Sequence, residues 1–502
     1  MTDQRSFRGP VAKPSNHKNP LPTPEKWDPN RSYDHLLDAI LSYGVSGIIP
    51  FHMPGHKQNT RKFGTVLPYA LDMTETAGMA DLHHPSGRLK EAQEELARSR
   101  GARASFFSIA GSTAGILSGM RTLTRRGDKV LLSRGSHRSV YHGLEILGLR
   151  GAYLLPRLQA DLPLYLDPDP DLLKRRLEEE KDVKLVLVTS PTFEGAISDL
   201  EAMVKVCHDY GALLMVDQAH GAHLTYLNRL GKGHYSEALS AGADLVVESL
   251  HKTLPALTPA ALVHCGDRVD PAELARNLSI FETSSPSHPL MASMDACLNY
   301  MENKGLEDLD RLLIEIRDFR DRVRDLKFLQ IVDLPGPGDP LKILLSCQKT
   351  RESGQEVTLA LRKMGFEFEM TLGPLILAMP SIGNEPGDLD RLAQALLDLD
   401  RQVHPAETAP SLPNFPLPPK AMEIDQALDR PMEIIRAGEA EGKIAGESVW
   451  AYPPGIPILL PGERITDAWL ACMEEWVRYG QDYRSDRGLF PRQIQVLRSI
   501  DE

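Results

Sequence analysis

Two polar residues each follow an apolar run that is typical of a buried strand. Asp217 closes the run at residues 213–216, and Lys252 comes shortly after the run at residues 245–247. Short apolar runs of this kind indicate parallel strands covered on both faces, and the ligands of open α/β sheets bind at the carboxyl ends of such strands. We therefore expect the carboxylate and the amine to lie near each other at one edge of a sheet.

An aspartate and a lysine in this arrangement suit pyridoxal phosphate. A lysine amine forms a Schiff base with the cofactor aldehyde, and a carboxylate keeps the pyridine nitrogen protonated so that the ring accepts electrons. Both residue types also have ordinary explanations, because a lysine after a strand is usually a surface residue and a strand-end aspartate often caps a helix. The pair alone does not decide between these interpretations.

A phosphate site is the second requirement, and residues 107–115 supply a candidate. Gly111, Ser112 and Thr113 open a predicted helix, where free backbone N–H groups and hydroxyls attract a phosphate. An ordinary Ser/Thr helix cap is the alternative.

His137 follows another strand-like run, and its ring could lie flat on an aromatic cofactor, although a histidine in a loop is usually a solvated surface group.

Composition and charge bear on the class of protein. The chain has 502 residues, 42% of them hydrophobic, and a formal net charge of −12. We expect two or three domains, a substrate that can be cationic, and neither nucleic acid nor an anionic membrane surface as the main partner.

The five cysteines form no Cys-x-x-Cys pair, so neither a disulfide framework nor a cysteine zinc site is expected. No signal peptide or membrane-spanning stretch is found, which makes the cytoplasm the expected location.

The alternation of apolar runs with helix-length segments predicts an α/β fold with a mostly parallel sheet and helices on both faces. Strands are predicted at residues 129–132, 152–155, 184–188, 213–216 and 245–247, and in a later, smaller α+β unit at residues 342–346 and 375–379. The predicted division is an extended N-terminal arm at residues 1–30, a cofactor-binding major domain at 31–305, a small α+β domain at 306–402, a proline-rich linker at 403–420 and a C-terminal domain at 421–502.

Motifs in a fixed order along the chain carry a resemblance to a known family. The early motifs are FHMPGHK at 51–57, DMTE at 72–75 and DLHHPSG at 81–87. The later ones are GST at 111–113, SH at 136–137, TSPT at 189–192, DQAHGAH at 217–223, SLHKTLPALT at 249–258, TSSPS at 283–287, AYPPGIP at 451–457 and PGE at 461–463. From about residue 33 to its end, the chain resembles the Orn/Lys/Arg decarboxylase family of pyridoxal phosphate enzymes, which has the type I (aspartate aminotransferase-like) fold, in its short bacterial form without the N-terminal wing domain.

The resemblance implies a role for each candidate residue. Lys252 would carry the internal aldimine, Asp217 would hold the pyridine nitrogen, and His137 and Ala219 would lie against the two faces of the ring. The phosphate would be held by Ser112, Thr113, Ser249 and His251, and further cofactor contacts would come from Gly111 and His220.

Partners and reaction are also implied by the resemblance. The family's active sites lie at a subunit boundary, so Thr283 and Ser284 would reach the partner's cofactor and a homodimer would be the minimal unit. The bond at Cα that stands perpendicular to the conjugated plane is the one that breaks, so a decarboxylase must hold the substrate carboxylate there. Lys252 is a candidate for returning the proton to Cα, with His251 or His223 as weaker candidates.

The expected substrate is a basic L-amino acid. Arginine, giving agmatine and carbon dioxide, is favoured over lysine and ornithine, because short family members often serve polyamine synthesis. Glu463 is a candidate for a carboxylate near the distal cation of the substrate, and a surface turn residue is the alternative interpretation. Gln218 stands where the family usually has glutamate, and Pro259 where it prefers a more polar or glycine-containing stretch. These departures leave substrate identity and rate open.

Three other interpretations stay open at this point. Another reaction on the same cofactor, such as aminotransfer or aldol cleavage, uses the same fold and lysine. A zinc site could use His220 with His223, or the adjacent pair His83 and His84, but no clear third ligand is found. A paralogue without catalytic activity that serves a regulatory role is the third, and the presence of both Lys252 and Asp217 argues against it.

Overall fold

The structure is a computed structural model that describes part of the chain. The described residues are 47–51, 55, 57, 59, 62, 81–155, 166, 169–406, 416–451, 455–478 and 482–498. Backbone contacts divide the chain into residues 1–48 and residues 49–502, and every element named below belongs to the second unit. The predicted N-terminal arm and the middle of the predicted proline-rich linker lie outside the described residues.

A seven-stranded sheet forms the centre of the major domain. The strands of this region are β1 (Ile49–Phe51), β2 (Ala104–Ser108), β3 (Lys129–Ser133), β4 (Arg150–Leu154), β5 (Val183–Thr189), β6 (Leu213–Asp217), β7 (Leu245–Ser249) and β8 (Ala261–Cys265). The sheet has the order β2-β8-β7-β6-β5-β3-β4. Neighbouring strands from β3 to β7 are parallel, whereas β8 is antiparallel to both β2 and β7. The predicted mostly parallel sheet is confirmed.

Helices of the same region alternate with the strands. They are α1 (Gly87–Arg100), α2 (Gly111–Leu123), α3 (Arg138–Leu147), α4 (Pro170–Glu179), α5 (Leu200–Asp209), α6 (Leu224–Arg229), α7 (Leu250–Thr253), α8 (Pro271–Phe281) and α9 (His288–Tyr300). A π-helical turn (Met301–Gly305) joins α9 to α10 (Leu306–Val323). The glutamate- and arginine-rich segment at residues 306–326 predicts a helix, and α10 ends three residues before that segment does.

Both faces of the large sheet are covered by helices. Leu187 and Met215 pack in a cluster with residues of α2, α3 and α8, whereas the adjacent Val186 and Leu214 pack with residues of α4 and α5. Because side chains alternate between the two faces of a strand, burial on both sides requires the unbroken apolar runs seen in the sequence. Polar side chains are therefore concentrated where the strands end.

Helix α2 packs unusually close to the sheet. A Cβ at Gly115 would lie 2.8 Å from Cγ2 of Val263 and 2.9 Å from Cγ1 of Val247, so a larger residue does not fit without a shift. The close approach fixes the start of α2 beside the carboxyl ends of the neighbouring strands. That edge is where the candidate residues were expected.

Two smaller groups of elements follow along the chain. The first contains β9 (Gln330–Val332), β10 (Ile343–Ser346), α11 (Gly354–Lys363), β11 (Phe366–Phe368), β12 (Met370–Leu372), β13 (Leu375–Ala378) and α12 (Asp388–Asp400). Its antiparallel sheet has the order β12-β13-β10-β9, and β11 pairs in parallel with β1. The second contains α13 (Ile424–Leu428), β14 (Met432–Arg436), a 3-10 turn (Ala437–Glu439), β15 (Val449–Ala451), β16 (Ile456–Leu459), α14 (Asp467–Arg478), β17 (Tyr483–Ser485) and β18 (Gln493–Leu497).

The C-terminal elements share a core with the small sheet. Leu344 and Leu377 of that sheet belong to one cluster with Trp469 of α14, while Ile343 and Ile376 face the cluster that contains residues of α10 and α12. The small sheet is thus buried on both faces. The domain boundaries drawn from the sequence stay predictions, but the C-terminal segment does not pack as an isolated unit.

Two general features concern the described residues. None of the described helices combines the length and the apolar character needed to cross a bilayer. All five cysteines are buried free thiols.

Candidate active site at the carboxyl edge of the sheet

Asp217 is the last residue of β6 and lies at the carboxyl edge of the sheet. In the strand register it stands between Thr189 of β5 and Val247 of β7. Its side chain is 3% exposed, and Oδ1 accepts a hydrogen bond of 3.1 Å from the N–H of Ala219. Burial raises the pKa of the Asp217 carboxyl, while the charge of Lys252 and the Ala219 N–H act against that shift. A buried carboxylate of this kind is suited to hold a proton shared with a ligand nitrogen.

Lys252 lies on the short helix α7, which begins directly after β7. Its Nζ is 3.2 Å from Nε2 of His220. Burial lowers the pKa of the Lys252 amine, and the charges of Asp217 and Glu369 oppose this effect. A lysine with a lowered pKa has more of the neutral, nucleophilic amine at neutral pH. The structure thus brings the two residues from which the sequence argument began into one electrostatic environment.

The predicted phosphate site contains a buried hydroxyl that lacks a partner among the described residues. Ser249, at the N-cap of α7, is fully buried, and its Oγ makes no hydrogen bond there. A buried hydroxyl without a partner costs about 1–3 kcal/mol, which a ligand oxygen would offset. Ser249 therefore fits a phosphate oxygen, and its role in binding the phosphate stays a prediction.

The start of α2 lies at the same edge of the sheet. Ala110 is the N-cap and no side chain caps the helix, so the alternative interpretation of Ser112 or Thr113 as an ordinary cap is wrong. Ser112 is partly buried and Thr113 is exposed. Free N–H groups at a helix start attract anions.

Gly111 is required at the start of α2 for two reasons. Its φ of +78° lies in the left-handed region, and a Cβ there would lie 3.3 Å from Cβ of Pro259. Pro259 is one of the positions at which the sequence departs from the family pattern. The proline ring therefore packs against the predicted phosphate loop.

His137 is the N-cap of α3. Its Nδ1 lies 2.9 Å from Oγ of Ser139 and 3.3 Å from the Ser139 N–H, and the residue is exposed. The ring is thus anchored through one nitrogen. This position agrees with the predicted stacking role, which stays a prediction.

The early motif contacts the segment that carries the lysine. The N–H of Gly55 donates a hydrogen bond of 2.6 Å to the carbonyl of His251. A Cβ at Gly55 would lie 2.6–2.7 Å from backbone atoms of Thr253 and Leu254, so only glycine fits. His251 itself places Nδ1 2.9 Å from the carbonyl of Ala260. Residues 52–54 and 56 of the motif lie outside the described residues.

The substitution at Gln218 has a structural explanation. Its Nε2 donates a hydrogen bond of 2.8 Å to Oε1 of Glu248, and its Oε1 accepts one of 3.0 Å from the N–H of Ala238. Glu248 also forms a buried ion pair of 3.4 Å with Arg100. Burial alone would raise the pKa of Glu248, but Arg100, with His264 and Gln218, lowers it to about 2. The amide thus adds a neutral donor to a carboxylate that already has one guanidinium partner.

The predicted subunit-boundary residues follow α8. Thr283 and Ser284 are exposed, and the carbonyl of Thr283 lies 2.9 Å from Nε2 of His83. The adjacent Glu282 accepts hydrogen bonds from Oγ of Ser108 and, at 3.0 Å, from the N–H of Ala110. The segment is therefore anchored at the start of α2, and Thr283 and Ser284 are exposed there.

Glu463 lies in a different environment from the one expected. It is fully buried, and its carboxylate lies 3.3 Å from Nη2 of Arg134 and accepts a hydrogen bond of 2.8 Å from the N–H of Leu460. It is therefore not a surface turn residue. Arg134 already compensates its charge, and a contact of Glu463 with the substrate cation stays a prediction.

Sequence reasoning missed a second buried lysine at the site. Lys342 precedes β10, is 4% exposed, and places Nζ 2.9 Å from Nδ1 of His220. Lys342 lies in none of the motifs on which the family resemblance rests. In the sequence it is only a charged residue directly before an apolar run, which does not indicate a site residue. The Nε2 of His223, a weaker candidate for the proton donor, lies 2.9 Å from Oδ1 of Asp339 in a fully buried contact, and its role stays a prediction.

The histidines of the zinc interpretation have other partners. His220 lies between two lysines, and His84 lies 2.9 Å from Asp81. Within the described part of the chain, no group of three His, Cys, Asp or Glu side chains could hold a metal ion.

Comparison with known proteins identifies the family. The family model described as "Orn/Lys/Arg decarboxylase, major domain" matches residues 35–338, which is more than half of the chain. The model described as "Orn/Lys/Arg decarboxylase, C-terminal domain" matches residues 406–484.

Full-length relatives and a solved structure agree with the family models. The chain is 29% identical over 491 residues to an arginine decarboxylase of Bacillus anthracis, covering 93% of this chain and 97% of the relative. It is 30% identical over 453 residues to an arginine decarboxylase of Bacillus subtilis (strain 168), covering 86% and 91%. Lysine decarboxylase A from Pseudomonas aeruginosa superposes with a TM-score of 0.71 at 20% identity, covering 85% of this chain and 74% of that chain. The chain therefore belongs to the Orn/Lys/Arg decarboxylase family, whose members are pyridoxal phosphate-dependent decarboxylases with the type I fold.

Proposed function

We propose that this protein decarboxylates L-arginine to agmatine and carbon dioxide, with lysine and ornithine as the next candidates. The observation that carries the proposal is that buried Asp217 and the amine of Lys252, which follow adjacent strands, act on each other's pKa. The names of the Bacillus relatives, which cover nearly the whole chain, favour arginine. The formal net charge of −12 also suits a cationic substrate.

Each residue of the site has its own role in binding the cofactor or in the reaction. When bound, pyridoxal phosphate supplies an aldehyde for the substrate amine and a ring that stores the electron pair left by departing carbon dioxide. Asp217 holds the proton on the pyridine nitrogen, and His137 and Ala219 pack against the ring. The phosphate is held by Gly111, Ser112, Thr113, Ser249 and His251.

The proton that returns to Cα of the product is supplied by Lys252 or by a group next to it. With the substrate amine bound to the cofactor, the amine of Lys252 would be available to carry a proton. His220, at 3.2 Å from that amine, can exchange a proton with it. We therefore assign the donor to Lys252, with His220 in place of His223 as the neighbouring imidazole.

The proposal includes a homodimer with shared active sites. Thr283 and Ser284 are exposed next to the start of α2, which suits a contact with the partner's cofactor. A cytoplasmic location and a supply of agmatine for polyamine synthesis are further parts of the proposal that rest on the family resemblance alone.

Release of carbon dioxide tests the substrate assignment. Purified protein loaded with pyridoxal phosphate is incubated in parallel with arginine, lysine and ornithine, and labelled carbon dioxide and the amine product are measured. We expect kcat/KM to be highest with arginine. A higher value with lysine or ornithine would reassign the substrate, and no carbon dioxide from any of the three would contradict the function.

The same assay separates the proposal from other reactions on this cofactor. Aminotransfer would require an oxo-acid acceptor and would release no carbon dioxide, and aldol cleavage would release an aldehyde. Carbon dioxide and agmatine in equal amounts, without an added oxo acid, are the expected result. A regulatory paralogue would give none of these products.

A further inference from the structure

Arg134 is a buried cation that joins two distant parts of the chain. It directly follows β3 and is 7% exposed. Its Nη2 lies 3.4 and 3.3 Å from the two carboxylate oxygens of Glu463, and its Nη1 donates a hydrogen bond to the carbonyl of Pro457 in β16. The roles that the family resemblance implies do not include Arg134. The guanidinium thus binds the C-terminal elements from the end of a central strand.

The major domain holds the same residue from the other side. The guanidinium carbon lies 5.5 Å from the ring centroid of Tyr141 in α3 and 5.3 Å from that of Tyr153 in β4, within the range of cation–π contacts. The hydroxyl of Tyr141 donates a hydrogen bond of 2.7 Å to the carbonyl of Arg134. The N–H of Arg134 donates one of 2.9 Å to the carbonyl of Leu154. Both the backbone and the side chain of Arg134 are therefore fixed.

The segment that begins at Arg134 carries His137. This histidine lies three positions further along and is the N-cap of α3. Desolvation by the surrounding protein and, after it, the charge of Lys252 lower the pKa of the His137 ring, so the ring lies within electrostatic range of that amine. The guanidinium of the next residue, Arg138, lies 5.7 Å from the ring centroid of Trp450 in β15. The C-terminal elements therefore contact the chain on both sides of His137.

A buried ion pair is better suited to fix a geometry than to add stability. The cost of taking two charges out of water offsets much of their attraction, so apolar side chains of similar volume often give equal stability. The hydrogen bonds of a guanidinium, in contrast, have fixed directions, because the group is planar and its donors form a rigid fork. The contacts of Arg134 with Glu463 and Pro457 therefore fix the position of residue 134 relative to the C-terminal elements.

We propose that Arg134 is a positioning residue that acts through His137: by binding Glu463 and the carbonyl of Pro457, it holds the His137 ring in the orientation that packs against the cofactor. The C-terminal elements would then contribute to cofactor binding without contacting the cofactor through this pair. The inference rests on the cofactor contact of His137 in the proposed function.

Cofactor affinity and the orientation of the bound ring test the inference. Arg134→Met combined with Glu463→Gln removes both charges, and the glutamine keeps an acceptor for the N–H of Leu460. The dissociation constant for pyridoxal phosphate is measured by visible absorbance, and the orientation of the ring by visible circular dichroism. We expect the dissociation constant to rise about three- to tenfold, the range of one lost aromatic contact. The circular dichroism should change toward that of His137→Ala.

The effect should depend on His137. In a His137→Ala background, the same two substitutions should change the dissociation constant by less than about twofold, because no ring remains to be positioned. Arg126→Met is the matched control, since it removes another ion pair with the C-terminal elements, at 3.8 Å from Asp425, before β3 begins. It should bind the cofactor as the wild type does. An unchanged constant and spectrum in the doubly substituted protein, or an equal rise with and without His137, would overturn the inference.

A milder variant remains decisive if the doubly substituted protein does not fold. Tyr141→Phe keeps the ring beside the guanidinium and removes only the hydroxyl that binds the carbonyl of Arg134. We expect the dissociation constant to rise by about two- to threefold, as for the loss of one hydrogen bond, and the rise to disappear in the His137→Ala background. No rise, or a rise that does not depend on His137, would overturn the inference.

Failure of this inference differs from failure of the proposed function. If the wild-type protein binds no pyridoxal phosphate, the proposed function fails and the role of Arg134 fails with it. If the wild type and all variants bind the cofactor equally, only the role of Arg134 is overturned. A substrate contact of Glu463 alone would raise KM for arginine at saturating cofactor in Glu463→Gln, with an unchanged dissociation constant for the cofactor, and this result would also overturn the inference.

Discussion

At the scale of single residues, the site depends on three buried charged side chains, those of Asp217, Lys252 and Glu248, and on the groups that stabilise their charges. Asp217 and Lys252 oppose each other's desolvation, since burial raises the pKa of the carboxyl and lowers that of the amine. Glu248, below them, is held ionised by Arg100. Residue types and their positions after apolar runs were sufficient to predict the first pair. The partner of Glu248 could not be predicted, because Arg100 is distant in sequence and is brought to it by the packing of α1.

Asp217 is expected to act on the chemistry more than on cofactor affinity. Asp217→Asn keeps the shape of the side chain but cannot hold a proton on the pyridine nitrogen, so the ring becomes a weaker electron acceptor. We expect kcat to fall by about 100-fold or more, with cofactor still bound, measured by carbon dioxide release and visible absorbance. Asp400→Asn is the control, because Asp400 is a buried carboxylate that caps the backbone at residues 327–329, away from the site. Equal losses in kcat for the two variants would contradict the assigned role.

Gln218 is expected to matter for stability at high pH. Gln218→Glu replaces the donor on Glu248 with a second acidic group, and one of the two carboxyls then has a folded-state pKa above its unfolded value. Such a group favours the folded state below the unfolded pKa, and the benefit is lost as the pH rises through the folded pKa. We expect the free energy of unfolding to be lower than that of the wild type by about 1–3 kcal/mol at pH 8 and by less at pH 6. Urea unfolding at both values measures this, and an equal loss at the two pH values would argue against the carboxylate pair.

At the scale of elements, the sequence predicted the strands that are buried on both faces and missed the two that carry polar residues. The five predicted strands of the large sheet correspond to β3, β4, β5, β6 and β7. Strands β2 and β8 were not recognised because each has polar residues within a short run. Ser105 and His264 lie opposite each other and form a buried hydrogen bond of 2.7 Å. Only the neighbouring strand satisfies these groups, so the local pattern did not indicate burial.

Close packing between elements should matter for cofactor binding. Gly55→Ala would place a methyl group 2.6–2.7 Å from the backbone of Thr253 and Leu254 and force a shift of α7. We expect the dissociation constant for pyridoxal phosphate to rise by about tenfold or more, since overpacking costs about 1–3 kcal/mol. Titration followed by visible absorbance measures the change. Gly438→Ala, where a Cβ would meet nothing within 4 Å, is the control and should bind as the wild type does.

At the scale of the whole molecule, the small sheet connects the other parts of the described chain. Its buried faces pack against α10 and α12 on one side and against Trp469 and its neighbours on the other. The unbroken apolar runs of β10 and β13 are consistent with burial on both faces, whereas the C-terminal segment was predicted to form a separate domain. Lys342 lies at the entrance to β10, so this arrangement also brings the second lysine to the carboxyl edge of the large sheet.

Subunit mixing tests the shared active site of the proposed homodimer. Lys252→Ala and the double variant Thr283→Ala with Ser284→Ala should each be nearly inactive, because each lesion affects every site of its own dimer. After exchange of subunits, a mixed dimer has one site with both lesions and one intact site. We expect an equal mixture to recover about a quarter of wild-type activity. Exchange is verified by co-purification of differently tagged subunits, and no recovery after verified exchange would argue against a shared site.

The most direct test of the central claim is the identity of the residue that captures the cofactor. Purified protein is incubated with pyridoxal phosphate, reduced with borohydride, digested and mapped by mass spectrometry, with Lys252→Ala treated in parallel. The predicted result is visible absorbance before reduction and a single stable adduct on Lys252, both lost in Lys252→Ala. An adduct on another lysine, or a wild-type protein that stays colourless and acquires no adduct, would contradict the assignment of this site.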